Sequence, residues 1–190
     1  MDQPRDAIDR QIQVTTPSRP VPSVSFATAL GPCGVSWSSA GITRVLMPGA
    51  RALRGRLSDD PRDAPPAVRE AIAGIVALLA GEPRDLRWVT LDQCGIEPFR
   101  RRVYGAARAI GPGRTASYGE IARAIGEPGS ARAVGATLGH NPFPIIVPCH
   151  RVLASTGALH GFSAPGGTVT KRRMLEIEGA PGFTQQALFA

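Results

Sequence analysis

Residues 115–142 read TASYGEIARAIGEPGSARAVGATLGHNP, and this stretch decides the fold of the second half of the chain. Ser117 begins a predicted helix that runs to about Ile125, with Glu120 three residues on as its capping-box partner. GEPG forms a turn, and Ser130 is expected to cap a second short helix. Two short helices joined by a glycine-containing turn of about four residues predict a helix-turn-helix.

The second helix of this pair has an unusual outer face. Apolar residues are expected to point inward, whereas the outward positions are small except for one arginine: Arg132, Gly135, Ala136 and Gly139. A bare helix surface lets a DNA backbone approach closely, and it equally allows tight packing against another helix. The basic surroundings favour the DNA contact.

Positive charge is concentrated in the same half of the chain. Residues 97–178 hold eleven Lys or Arg against five Glu, whereas the other residues hold eleven against ten Asp or Glu. This asymmetry indicates a polyanionic partner, with nucleic acid first. An arginine-rich proteome would give the same excess, so charge alone leaves both explanations open.

The first half predicts a small α/β unit. Short runs rich in β-branched and aromatic residues (VSFATAL, GVSWSSAG and ITRVLM) alternate with glycine breaks and indicate a small antiparallel sheet. A helical repeat, AVREAIAGIVALLAG, follows and stops at Gly81, and RWVTLD is expected to add one more strand. The second half then opens on the amphipathic helix EPFRRRVYGAARAI.

These patterns divide the chain into three parts. We expect a mobile N-terminal segment, an α/β domain and a mostly helical DNA-binding and catalytic domain, over residues 1–22, 23–94 and 95–190. We expect neither a secretion signal nor a membrane anchor in the first segment, because it has no apolar core. Three cysteines without a CxxC pair suit a reducing compartment. We therefore expect a cytoplasmic monomer with no membrane association, no cofactor and no obligate protein partner.

The run PIIVPCHRV places Cys149 directly before His150 and two residues before Arg151. A lone cysteine is more often an inert core residue than a nucleophile. Here positive neighbours would stabilise the reactive thiolate. Three prolines also stiffen the segment and restrict where the thiol points, namely Pro142, Pro144 and Pro148.

A nucleophilic Cys149 would need a base and a group that orients the base. Successive side chains of a straight strand point to opposite sides, so His150 can reach the sulfur only if the chain turns or through a water. Glu178, at the end of the last predicted helix, is a candidate orienter, or else a solvated surface carboxylate. Zinc is not expected, because only His150 among the three histidines lies near Cys149 in the sequence.

PCHRV preceded by GHNPFPIIV, with SYGEIA and ARAVG upstream, resembles the O6-alkylguanine-DNA alkyltransferases. The resemblance spans about residues 97–178, and the first half resembles the family more weakly. It implies an α/β N-terminal domain of RNase H-like topology, followed by a mostly α C-terminal domain with a helix-turn-helix. It also implies repair of O6-alkylguanine in duplex DNA by nucleotide flipping and one irreversible alkyl transfer per molecule.

The resemblance also implies roles for individual residues. Cys149 would accept the alkyl group, with His150 as general base through a water and Glu178 orienting the His. Asn141 would hold the turn before the active-site segment, and the carbonyls of Cys149 and Val152 would read the base edge.

The same resemblance implies a DNA-contacting surface. Tyr118 would help rotate the nucleotide and bind the flipped base, and Arg132 would fill the gap left in the base stack. The complete predicted set for DNA binding and flipping is Tyr118, Ser130, Arg132, Gly135, Ala136 and Arg151.

The loop before the last helix departs from the family pattern. Phe162 stands at a position where relatives often have tyrosine, and SAPGG makes the loop longer than in many relatives. Ser163 is a candidate donor to the O6 region. Both residues are assigned to the base pocket. Zinc-binding pairs found in some relatives have no counterpart.

Three alternative functions stay open. An alkyltransferase-like protein would bind the lesion without reacting, but that class lacks the cysteine. A cysteine hydrolase using Cys149 and His150 would need an oxyanion hole and would turn over repeatedly. A transcription factor would use the helix-turn-helix, although a single half-site without an evident dimer interface argues against it.

Overall fold

The structure is a computed structural model that describes residues 21–54, 60–159 and 161–183. The predicted mobile N-terminal segment therefore lies almost wholly outside the described residues. No helix in the described ranges is both long and apolar enough to cross a membrane.

The first half contains an antiparallel sheet of three strands, which confirms the sequence prediction. The strands are β1 (Ser23–Phe26), β2 (Cys33–Ser38) and β3 (Gly41–Leu46), in the order β1-β2-β3. The register of β2 and β3 shifts after Ser36, because Ile42 pairs with Trp37 whereas Arg44 pairs with Ser36. Thr43 is thus the extra residue of a β-bulge in β3.

Helix α1 (Pro66–Leu79) covers this sheet, as its helical repeat predicts. Proline at its first position suits a helix start, because the missing N–H would be unpaired there in any case. Its buried side chains recur at helical spacing and join the sheet's apolar face: Val68, Ala71, Ile72, Ile75, Leu78 and Leu79.

The RWVTLD segment is not a strand, which corrects the sequence prediction. Only Leu91 forms an isolated bridge, to Ile42, and residues 87–89 turn. Arg108 provides the physical reason. Its Nη2 donates to the carbonyl oxygens of Leu86, Arg87 and Val89 at 3.2, 2.6 and 2.8 Å, so these oxygens face a guanidinium and not a strand.

The second half begins with α2 (Pro98–Arg108), whose Val103, Tyr104 and Ala107 are buried. A parallel pair of two-residue strands, β4 (Ala116–Ser117) and β5 (Val152–Leu153), follows. The final helix is α5 (Gly167–Ile177). One apolar cluster contains buried residues from the sheet, from α1 to α5 and from the active-site segment, so both halves share a core.

The predicted pair of short helices is present as α3 (Tyr118–Ala124) and α4 (Ala131–Gly139). The capping box at Ser117 is confirmed, because its Oγ accepts from Glu120 N and its own N–H donates to Glu120 Oε2. Ser130 does precede α4, but the expected cap bond is absent. Its Oγ donates instead to Glu127 O at 2.8 Å, so the hydroxyl secures the turn and not the helix start.

Candidate active site

The segment that leads to Cys149 is held in a tight, strained turn. Ile145 has a φ of 76°, the single positive φ of a non-glycine among the described residues, and a β-branched side chain rarely adopts it. Asn141 stabilises the turn at both ends: its Nδ2 donates to Val147 O and its Oδ1 accepts from Phe143 N, each at 2.9 Å. Strain of this kind persists only where surrounding contacts hold it.

Cys149 begins a short 3-10 turn, Cys149–Arg151, so this segment is not a straight strand. Its side chain is almost fully buried, and Asn141 Nδ2 lies 3.4 Å from the sulfur. Burial raises the pKa of the Cys149 thiol, whereas the hydrogen bond from Asn141 and the positive charge of Lys171 act to lower it. The thiol therefore needs both a nearby base and a nearby cation to react at neutral pH.

His150 and Glu178 form a buried pair, with Nε2 of the imidazole 2.9 Å from Oε1. An ionised carboxylate can only accept, so Nε2 carries the proton and Nδ1 holds a lone pair. Burial lowers the pKa of His150, which keeps the ring neutral at physiological pH. Nδ1 is buried without a hydrogen-bond partner among the described residues, which leaves it available to accept a proton.

Arg151 binds the same carboxylate in a bidentate manner. Its Nη2 lies 2.8 Å from Oε1 and its Nε 2.8 Å from Oε2 of Glu178. Burial alone would raise the pKa of Glu178, but the hydrogen bonds from His150 and Arg151 outweigh it and lower the pKa to about 2. Glu178 therefore stays ionised and fixes the tautomer of His150.

Lys171 supplies a buried cation behind the cysteine. Its Nζ donates to Val152 O at 2.6 Å and lies 5.9 Å from the centre of the Tyr118 ring. Burial lowers the pKa of Lys171 to about 8, although the Cys149 thiolate acts to raise it. A lysine that stays largely protonated near neutral pH can stabilise a thiolate beside it.

Two adjoining cavities lie beside this site, and one of them reaches Cys149. The first, here called the cysteine cavity, has a volume of about 600 Å³ and is lined by Cys149 and Asn141 together with residues of β3. The second, the α4 cavity, has about 800 Å³ and is lined by the outer face of α4 and by Tyr118. Three residues line both cavities: Gly139, Phe162 and Ser163.

Comparison with known proteins agrees with this geometry. Residues 98–180 match the family model for the DNA-binding domain of 6-O-methylguanine DNA methyltransferase. A methylated-DNA–protein-cysteine methyltransferase from Mycobacterium leprae is 45% identical over 123 residues, which is 65% of this chain and 72% of the relative. One from Methanothermobacter thermautotrophicus is 35% identical over 147 residues, 77% and 78% of the two chains.

The chain belongs to the methylated-DNA–protein-cysteine methyltransferase family. A solved structure of Mycobacterium tuberculosis OGT in complex with DNA superposes on it with a TM-score of 0.68. The two sequences are 38% identical, and the match covers 86% of this chain and 97% of the other. The family resemblance drawn from the sequence motifs is therefore confirmed.

Most of the predicted DNA-contacting residues lie around the α4 cavity, namely Tyr118, Arg132, Gly135 and Ala136. Ser130 is partly buried, and its hydroxyl is engaged with Glu127 O. The assignment of Arg151 to the DNA surface is wrong. Its side chain is buried, donates to Ile110 O and neutralises Glu178, because the 3-10 turn directs it inward.

Two of the predicted base-pocket residues lie at the junction of the two cavities. Phe162 and Ser163 line both, and Asn141 lines the cysteine cavity. The carbonyl of Val152 already accepts a hydrogen bond from Lys171. A carbonyl oxygen has two lone pairs, so one remains for a base edge.

Sequence reasoning missed Lys171. A usable clue was present, because the other 21 of the 22 basic residues are arginine. Arginine is effectively always charged, whereas the pKa of a buried lysine shifts readily, so a lone lysine in an arginine-rich chain marks a special site. No group of three or more His, Cys, Asp or Glu within the described ranges has the arrangement of a metal site.

The buried cluster of Glu178, His150 and Arg151 makes the free energy of unfolding depend on pH. The folded-state pKa of about 2 lies below the ordinary 4.5, so the contribution is present above pH 4.5 and is lost as the pH falls towards 2. Its full size is on the order of 3 kcal/mol. In urea unfolding between pH 6 and 3, we expect the free-energy gap between wild type and Glu178→Gln to shrink as the pH falls. A gap that stays constant contradicts the assignment.

Lys171→Met should make Cys149 less reactive near neutral pH. Removing the cation raises the pKa of the thiol, and a neighbouring opposite charge contributes about tenfold in thiolate population. The measurement is the pH profile of Cys149 alkylation by iodoacetamide, followed by mass spectrometry of the Cys149 peptide. Arg173→Met, an exposed neighbour on α5, is the matched control. Overlapping profiles for the two variants would show that Lys171 does not act on the sulfur.

Proposed function

We propose that this protein repairs O6-alkylguanine in duplex DNA by transferring the alkyl group to Cys149. One observation carries the proposal. Cys149 lines a cavity that adjoins the small-residue face of α4, and a neutral histidine held by an ionised carboxylate is its next neighbour in the chain. The family's relatives bear the name of this reaction, and one of them is solved in complex with DNA.

The chemistry begins with removal of the thiol proton by His150. Its unpartnered Nδ1 accepts the proton, through a bridging water, and Glu178 stabilises the imidazolium that results. Lys171 balances the charge of the thiolate as it forms. Because the thiolate is buried, its negative charge is poorly solvated and strongly nucleophilic towards an alkyl carbon.

The thiolate sulfur then attacks the alkyl carbon attached to O6. A sulfur–carbon bond forms, the carbon–oxygen bond breaks, and guanine leaves with the electron pair and takes up a proton. The product is a thioether, which has no easy hydrolytic exit. The protein therefore acts once, in contrast to a cysteine hydrolase.

The target base must leave the helix to reach the sulfur, because O6 of guanine lies inside the duplex. We propose that α3 and α4 act as a helix-turn-helix whose small residues admit the backbone. Tyr118 lies between the α4 cavity and Lys171 and contacts the flipped nucleotide. The exposed Arg132 fills the position that the flipped base leaves in the base stack. The excess of basic residues in this half adds attraction for phosphates.

The same proposal includes the division into domains, the oligomeric state and the location of the protein. A unit of RNase H-like topology would cover residues 23–94, and a helical DNA-binding unit would follow from residue 95. The protein would act as a cytoplasmic monomer without a cofactor. A single helix pair and one reactive thiol are enough for a reaction that consumes one lesion per molecule.

Cys149→Ala should abolish transfer and keep lesion binding. The assay incubates the protein with a duplex that carries one O6-methylguanine and follows the methyl group by mass spectrometry. Wild type should gain one methyl on the Cys149 peptide, and Cys94→Ala, which removes an exposed free thiol, should behave like wild type. Methyl release beyond one equivalent of protein would favour a hydrolase instead.

Arg132→Ala should slow transfer from duplex DNA at least tenfold, because flipping costs a few kcal/mol and Arg132 offsets part of this cost. Transfer from the free O6-alkylguanine base needs no flipping and should be much less affected. Arg69→Ala removes an exposed arginine from α1 and serves as the control. An equal loss with duplex and free base would instead indicate damage to the active site.

A further inference from the structure

The C-terminal end of α4 leads directly into the turn before the acceptor cysteine. The helix ends at Gly139, His140 is its cap residue, and Asn141 follows at once. Carbonyl oxygens at a helix end have no partner within the helix, so a neighbouring element has to supply their donors. Here α2 supplies a donor to the carbonyl of His140, through Arg100.

Arg100 and Tyr104 act together at this carbonyl. Nη2 of Arg100 donates to His140 O at 3.1 Å and to the Tyr104 hydroxyl at 3.2 Å, and the guanidinium carbon lies 6.0 Å from the centre of the Tyr104 ring. The same hydroxyl lies 3.5 Å from His140 O. Burial raises the pKa of Tyr104, so the phenol keeps the proton that it can donate.

Tyr104 also packs against the far side of the turn. Its ring meets the ring of Phe143 edge-on, with the centroids 6.2 Å apart and an interplanar angle of 89°, and both residues are buried. Phe143 N is the group that donates to Asn141 Oδ1. The Arg100–Tyr104 pair therefore contacts the turn both before Asn141, at His140 O, and after it, at Phe143.

Asn141 connects this turn to the acceptor sulfur. Its Nδ2 lies 3.4 Å from Cys149 Sγ and donates to Val147 O at 2.9 Å. A hydrogen bond to the sulfur favours the thiolate over the thiol. Such a bond weakens steeply when the donor is displaced or misaligned, so the thiolate depends on how firmly the Asn141 turn is held.

The other two arginines of the run RRR have different contacts. Arg101 Nε donates to Ile96 O at 2.5 Å, just before α2, and Arg102 pairs with Glu127 in the turn before α4. General attraction for phosphates would apply to all three arginines alike. It does not account for the two hydrogen bonds by which Arg100 reaches the active-site turn.

We propose that Arg100 is a positioning residue for Cys149. Together with Tyr104 it fixes the Asn141 turn from α2 and so keeps the Asn141 amide on the acceptor sulfur. Its importance for alkyl transfer rests on the proposed function, whereas its effect on the thiol can be measured without DNA.

The test is the pH profile of Cys149 alkylation by iodoacetamide, followed by mass spectrometry of the Cys149 peptide. Arg100→Gln should move the midpoint up by about half a pH unit and lower the rate at pH 7 about threefold, because the thiolate loses part of a charge-assisted hydrogen bond. Lys171 and His150, the charged and titratable neighbours, stay unchanged. Arg100→Lys should recover part of the shift, because an ammonium group also donates to a carbonyl.

Arg101→Gln is the matched control, because it removes the adjacent charge from the same helix and should keep the wild-type midpoint. Tyr104→Phe keeps the ring on Phe143 and removes the hydroxyl. Its shift combined with that of Arg100→Gln should be smaller than the sum of the two single shifts, because both act through one turn. Urea unfolding of each variant separates this effect from a general loss of stability, which would leave the midpoint in place.

The opposite results are equally clear. An unchanged midpoint in Arg100→Gln, together with weaker binding to an undamaged duplex, would make Arg100 a phosphate contact and overturn the inference. A shift of the same size in Arg101→Gln would show a general charge effect and overturn it as well. If the midpoints move as expected but wild type transfers no methyl group from O6-methylguanine, the proposed function fails and the positioning of the thiol stands.

Discussion

The ionised carboxylate of Glu178 is the interaction on which the rest of the site depends. It accepts hydrogen bonds from His150 and from Arg151, and the side chains of all three residues are buried. Removing one member of such a cluster leaves an uncompensated buried charge, which is strongly destabilising. The cluster also determines which nitrogen of His150 can act as a base. Because Glu178 accepts a hydrogen bond from Nε2–H, the basic nitrogen is Nδ1.

The same cluster connects elements that are distant in the sequence. Glu178 follows the end of α5, His150 and Arg151 belong to the 3-10 turn, and Arg151 reaches Ile110 O beyond the end of α2. Lys171 lies about two helical turns before Glu178. Its ammonium group donates to Val152 O, beside the 3-10 turn. Folding of the C-terminal helix therefore assembles the charges around the thiol, and the reactive site cannot form without it.

The first half contributes to the site through β3 and not only through the shared core. The bond from Val45 N to Pro142 O places the sheet edge against the strained turn at Ile145. This contact helps to hold a φ that the isolated segment would not keep. It also makes the sheet one wall of the cysteine cavity, so that residues remote from the family motif border the acceptor sulfur.

The sequence by itself determined the local elements and the reactive motif. Hydrophobic period, the capping box at Ser117 and the glycine breaks placed the three strands and the helices, because those features act within a few residues. The tertiary structure alone decided the rest. It bent residues 87–89 through Arg108 so that only Leu91 bridges to β3, buried Arg151 against Glu178, and brought Lys171 to the turn that carries the cysteine. These outcomes depend on hydrogen bonds and ion pairs between residues that are far apart in the sequence. The periodicity of apolar residues gives no information about such long-range contacts.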